Sequence, residues 1–147
     1  MSNAKSINWR ITMAAVGMVM LAMAATAGSA LAADVKVTLD GAQEVPPVST
    51  SAKGEGTITV NDDKTLNGSV TTTGVDGTMA HIHHAAAGQN GPIIVPFEKK
   101  SDGEWALPAN ASFTEEQFKA YQAGELYINV HSAEHKGGEI RGQLMPK

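Results

Sequence analysis

Residues 54–74 read GEGTITVNDDKTLNGSVTTTG. Threonine, isoleucine and valine alternate with small or polar residues on both sides of Asn61-Asp62-Asp63-Lys64, a run of turn formers. A period of two in β-branched residues is the signature of half-buried strands, so the stretch reads as two strands joined by a turn. Upstream, DVKVTL (34–39) alternates Val35, Val37 and Leu39 with polar residues, and GAQEVPPVSTSA (41–52) separates it from the hairpin. Pro46-Pro47 bars that separator from the middle of a sheet. Downstream, MAHIHH (79–84), GPIIVPFE (91–98), ELYINVH (125–131) and GEIRGQLM (138–145) bring the candidate strands to seven.

One segment departs from this pattern. SFTEEQFKAYQAGE (112–125) has Ser112 and Glu115 at capping-box spacing, Phe113, Phe118 and Tyr121 near the helical period, and Gly124 as a stop. A short helix from about Thr114 to Gln122 is predicted, crossing over one end of the strands. Seven short strands, one helical connection and no βαβ alternation predict an all-β fold, an antiparallel β-sandwich with one short crossover helix.

The chain has 147 residues and no spacer of linker composition, so one domain is expected. Residues 1–32 are expected to be a signal peptide. Lys5 and Arg10 form a basic start, Ile11 to Ala27 is an apolar run, and Ala30-Leu31-Ala32 offers small residues at the two positions a signal peptidase reads. Cleavage is expected between Ala32 and Ala33; a retained N-terminal anchor is the alternative. Residues 33–147 then form the domain, with nine basic residues against fifteen acidic ones, a formal charge of −6. That balance argues against nucleic acid as a partner and against attachment to an anionic membrane after cleavage. The expected location is periplasmic or secreted. With no cysteine, stability must come from an ordinary core, alone or with a bound metal.

All five histidines fall in two clusters, His81, His83 and His84 in HIHH and His131 and His135 in NVHSAEHKGG. Strand alternation puts Ala80 and Ile82 on the core side, and His81 and His83 together on the opposite, outer face. The same count puts Leu126, Ile128 and Val130 inward and Tyr127, Asn129 and His131 outward, and sends Ile140 and Leu144 inward with Glu139, Arg141 and Gln143 outward. If these strands are neighbours, the outer face gathers His81, His83 and His131, with His135 able to fold over it. His84 turns inward or lies past the strand end. Two imidazoles at i and i+2 plus a third from an adjacent strand form a nitrogen set suited to copper, with zinc as the alternative. Asn129, Glu139 and Arg141 are placed to orient such ligands. The opposing reading is a polar sheet face that happens to use histidine. No cysteine nucleophile, Gly-x-Ser-x-Gly elbow or phosphate-binding glycine loop is present, and no catalytic residue is assigned.

LDGAQEVPPVST, AHIHHAAAGQNGPIIVPF and GELYINVHSAEHKGGEIRGQL together resemble the CHRD domain, a module of chordin and of many bacterial exported proteins, over about Val35 to Leu144. The positions that match its motifs are His81, His83, Gly88, Gly91, Pro92, Asn129, His131, Gly138, Glu139, Arg141 and Gly142, whereas His84 and His135 look local to this chain. The resemblance implies an immunoglobulin-like or superoxide-dismutase-like sandwich, and in chordin the module accompanies binding of secreted signalling proteins. Three functions are therefore weighed. The first is an exported copper-binding protein. The second is a non-catalytic module meeting an envelope or extracellular protein partner. The third is a superoxide-dismutase-like redox enzyme, disfavoured because the chain lacks a second His/Asp-rich loop and is acidic.

Overall fold

The structure, a computed structural model, describes residues 32–146, so the expected signal segment lies almost wholly outside the described residues. Nine strands form one antiparallel sheet: β1 (Ala33–Asp40), β2 (Lys53–Val60), β3 (Leu66–Thr73), β4 (Gly77–His84), β5 (Ile93–Pro96), β6 (Glu98–Ser101), β7 (Glu104–Ala106), β8 (Leu126–Ser132) and β9 (Ile140–Leu144). Their order is β5-β4-β8-β9-β1-β2-β3-β7-β6. All seven expected strands are present. Two more, β6 and β7, make a short hairpin at Asp102-Gly103.

The two ends of the sheet are halves of one bent strand. β5 pairs with β4, β6 pairs with β7, and only Phe97 separates them, its N–H donating to the Ala80 carbonyl at 2.9 Å. The sheet therefore curls nearly into a barrel, and the two layers expected of a sandwich are opposite walls of one sheet. Closure of this kind leaves few unpaired strand edges to template aggregation. Inside, Val35, Val37, Leu39, Ile58, Val70, Ile82, Leu126, Ile128, Val130, Ile140 and Leu144 are all at most 5 % exposed. Each such side chain contributes about 1.5–3 kcal/mol relative to an exposed one.

The helix α1 (Glu115–Gln122) joins β7 to β8, as expected of a crossover. Its cap differs from the sequence expectation. Thr114, not Ser112, is the N-cap: its hydroxyl accepts from the Gln117 N–H at 3.2 Å while Gln117 Oε1 accepts from the Thr114 N–H at 2.9 Å. Ser112 instead bridges to Thr65. Buried Ala120 and Tyr121 hold the helix to the barrel.

β8 is buried along its whole length, on both faces. One face meets the apolar interior. The other is covered by three loops, residues 41–52, 85–92 and 133–139, which connect β1 to β2, β4 to β5 and β8 to β9. The predicted outer face therefore exists with the predicted neighbours, since β4, β8 and β9 are adjacent, but it is enclosed rather than bathed in solvent.

Candidate metal centre

Two strand pairings assemble the histidines. β4 and β8 align His81 with Asn129, His83 with Tyr127 and Met79 with His131, and β8 and β9 align Asn129 with Arg141 and Tyr127 with Gln143. Because side chains on one face recur every second residue, His81, His83, Tyr127, Asn129, His131 and Arg141 form one patch. His81, His83 and His131 each offer a nitrogen, and the three atoms lie within 4.8 Å of one another. The three rings are 7–9 % exposed.

Hydrogen bonds fix two of the tautomers. The His83 Nδ1 donates to the Gly91 carbonyl at 2.9 Å and the His131 Nδ1 donates to the Lys136 carbonyl at 2.8 Å, so the Nε2 lone pair of each ring is free to accept. His131 Nε2 accepts from His81 Nδ1 at 3.1 Å. His83 Nε2 is buried without a partner. Burial, followed by the neighbouring His131 and His83 rings, pushes the His81 pKa down to about 4. Burial also lowers that of His83, outweighing the Gly91 carbonyl that favours its charged form. Both rings are thus neutral at neutral pH, the state a metal requires of imidazole.

The spacing fits one ion. Nitrogens at about 2.0–2.1 Å from a tetrahedral ion sit about 3.3 Å apart, with ring centroids about 5 Å apart. Here His81 and His131 already have nitrogens 3.1 Å apart, and the three centroid separations are 5.0, 5.6 and 6.0 Å. A metal would replace the proton shared by His81 and His131 and take the idle lone pair of His83, which must move inward slightly.

His83 is held by a three-layer stack. Its ring lies on Tyr127 at 4.8 Å and 8°, and the Arg141 guanidinium lies 3.5 Å from the Tyr127 ring centre. Arg141 is 1 % exposed and donates to the carbonyls of Gln89 (2.7 Å) and Ala86 (3.2 Å), and to Gln143 Oε1 (3.3 Å). It thereby ties the 85–92 loop to the sheet. The same loop supplies Gly91, whose N–H donates to the Tyr127 hydroxyl at 3.3 Å and whose carbonyl accepts from His83. A Cβ on Gly91 would overlap the His84 carbonyl, so only glycine fits.

Glu44, in the 41–52 loop, is a buried member of this layer that sequence reasoning did not single out. It is 4 % exposed, and its Oε1 and the Asn129 Oδ1 are both buried acceptors without a donor. Burial raises its pKa to about 7 against the opposing pull of Arg141 and of Asn129. The cradle depends on Gly138 at φ +127°, where any side chain would strike both Glu44 and Asn129. The signal available in the sequence was the position of Glu44 inside the GAQEVPP motif; nothing in strand periodicity reaches a loop residue.

The remaining expected site residues lie elsewhere. His135 is outside the trio, facing a cleft of about 600 Å³ lined also by Glu44, Pro46, Asn90 and Glu134. Its loop does fold over the histidine face, but through backbone: the Lys136 carbonyl meets His131 and the Gly137 carbonyl meets the Asn129 amide at 3.3 Å. His84 closes β4 and turns to Glu125 at 3.8 Å. Glu139 is buried beside the layer, its Oε1 accepting from the Thr50 hydroxyl at 2.8 Å, so it fastens the 41–52 loop rather than reaching the trio.

No curated protein and no solved structure matches the chain. Residues 35–144, from within β1 to the end of β9, match the CHRD domain, and the chain belongs to that family.

Proposed function

We propose that this is an exported protein, periplasmic or secreted once residues 1–32 are removed, that binds one transition-metal ion through His81, His83 and His131. The observation that carries the reading is the buried, unpartnered Nε2 of His83, on one of three histidines that each offer a ring nitrogen within 4.8 Å of the others'. An idle buried acceptor is costly, by about 1–3 kcal/mol, and a metal removes that cost.

Copper is favoured over zinc. Three neutral imidazoles suit either ion, and among divalent ions Cu(II) stands above Zn(II) in the general affinity order. Charge favours copper on a separate ground, through its monovalent state. The site has no carboxylate ligand and Arg141 is close behind Tyr127, so a cuprous ion, with about a quarter of the desolvation cost of a divalent one, is better tolerated.

A second reading has its own support. All three rings already have at least one hydrogen bond without metal, which is what a structural polar layer in an interaction module would need. Untagged protein titrated separately with Cu(I), Cu(II) and Zn(II) separates the two. Metal binding requires one ion per chain and, at a hundredfold excess over Kd, about 2.7 kcal/mol of added stability that largely disappears in His83→Ala. The absence of saturable binding at micromolar metal would leave the interaction module as the function.

A further inference from the structure

The described histidine trio offers three donors, and no other His, Asp or Glu among the described residues joins it. A sulfur-bearing residue does neighbour it in the strand pairing. Met79 is two residues before His81 on β4, and since Ala80 between them is fully buried in the apolar interior, Met79 and His81 share the histidine face. Across the β4–β8 pairing Met79 is directly opposite His131. Opposed residues have Cβ atoms about 4.5–5.5 Å apart, and methionine has three rotatable bonds with which to cross that gap.

Its exposure is the second observation. Met79 is 51 % exposed, although the rest of its row on the same face is enclosed and the histidines are 7–9 % exposed. The loop contacts explain the contrast: residues 85–92 close over His83, Tyr127 and Arg141, and residues 136–137 over Asn129 and the far nitrogen of His131. Met79 thus stands at the rim of the trio, on the side those loops leave uncovered.

Resting on the metal-binding reading above, we infer that Met79 is a fourth, thioether ligand that captures a cuprous ion at the rim and completes a three-imidazole, one-sulfur set. A thioether is soft and uncharged. It adds affinity for Cu(I), little for Zn(II), and brings no buried negative charge that would favour a divalent ion. Residues 33–147 contain only two sulfur atoms, Met79 and Met145, so a sulfur signal from bound copper is simple to assign.

The test uses residues 33–147, which lack the five methionines of residues 1–32, loaded anaerobically with one equivalent of Cu(I) and compared with Met79→Leu, an exposed substitution that keeps shape and removes the donor. X-ray absorption on the wild type is expected to show one sulfur among the copper neighbours, and Met79→Leu to lose it. Competition against a cuprous chelator is expected to show about a tenfold or greater loss of Cu(I) affinity in the variant, with Zn(II) affinity unchanged. Copper bound with nitrogen neighbours alone, or equal losses for both ions, would overturn the role of Met79 while leaving the trio as a metal site. A wild type that binds no copper would overturn both.

Discussion

Glu44→Gln tests the buried layer through its charge. In the folded protein burial holds the Glu44 pKa at about 7, against an ordinary value of 4.5. Between those values the native carboxyl keeps a proton that the unfolded chain has released, so its contribution to stability is full below pH 4.5 and is lost as pH rises towards 7. Integrated over that window, ionisation removes about 1 kcal/mol at pH 5 and about 3 kcal/mol at pH 8. His81 acts with the opposite sign. Its folded pKa of about 4 lies below the ordinary 6.5, so its contribution is present above 6.5 and lost as pH falls towards 4. In the wild type the two slopes oppose one another between pH 4.5 and 6.5. Glutamine keeps the shape of the protonated carboxyl and removes only the Glu44 slope. Urea unfolding of metal-free protein at fixed pH is expected to show Glu44→Gln gaining on the wild type by about 2 kcal/mol between pH 5 and pH 8. A difference between the two proteins that does not vary with pH would refute the claim that Glu44 ionises against its surroundings.

Two further substitutions address the parts that hold His83 in place. Arg141→Met fills similar volume but leaves the Ala86 and Gln89 carbonyls without their donor and Glu44 without its counter-charge. A loss of about 3 kcal/mol in urea unfolding is expected, together with faster hydrogen exchange at the Gly91 amide; a loss below about 1 kcal/mol would mean the guanidinium is not what ties down the loop. Gly91→Ala forces the loop off the His84 carbonyl and breaks the contacts of Gly91 with both His83 and Tyr127. It is expected to destabilise by about 2–3 kcal/mol and to weaken any metal binding more than a destabilised surface loop would, read by comparing thermal shift with and without metal.

Strand periodicity made the histidine trio legible, because parity and adjacency are local and nearest-neighbour properties. Ala80 and Ile82 inward implies His81 and His83 outward, and a hairpin from β8 to β9 brings Asn129 beside Arg141. What periodicity does not encode is what lies over a face. Of the covering loops only 133–139, through His135, was expected to fold over this face, so a buried layer looked like an exposed one. The β6–β7 hairpin was missed because each strand is only three or four residues long and β6, EKKS, is wholly exposed, leaving no apolar alternation to read. Barrel closure was equally hidden, since it depends on one chain segment bending at Phe97 to pair first with β4 and then with β7. The helix cap moved from Ser112 to Thr114 because the Gln117 amide serves the box as well as a carboxylate does.

The energetics of the enclosed layer bear on its purpose. A sheet face under loops can be filled by aliphatic side chains, and replacing buried polar groups by apolar ones of similar volume is often neutral or stabilising by about 1–4 kcal/mol. This face instead buries an arginine, a glutamate, an asparagine and three histidines, and leaves Glu44 Oε1, Asn129 Oδ1 and His83 Nε2 without partners. All three idle atoms accept rather than donate when the groups are in their usual neutral or anionic forms, so the layer lacks positive charge or protons, not space. Protonating Glu44 supplies one donor, and the pH experiment measures it. Protonating His83 is opposed by burial. A cation at His83 Nε2 answers the remaining deficit without charging an imidazole, and the Tyr127 stack and Gly91 carbonyl have already fixed that ring before any ion arrives.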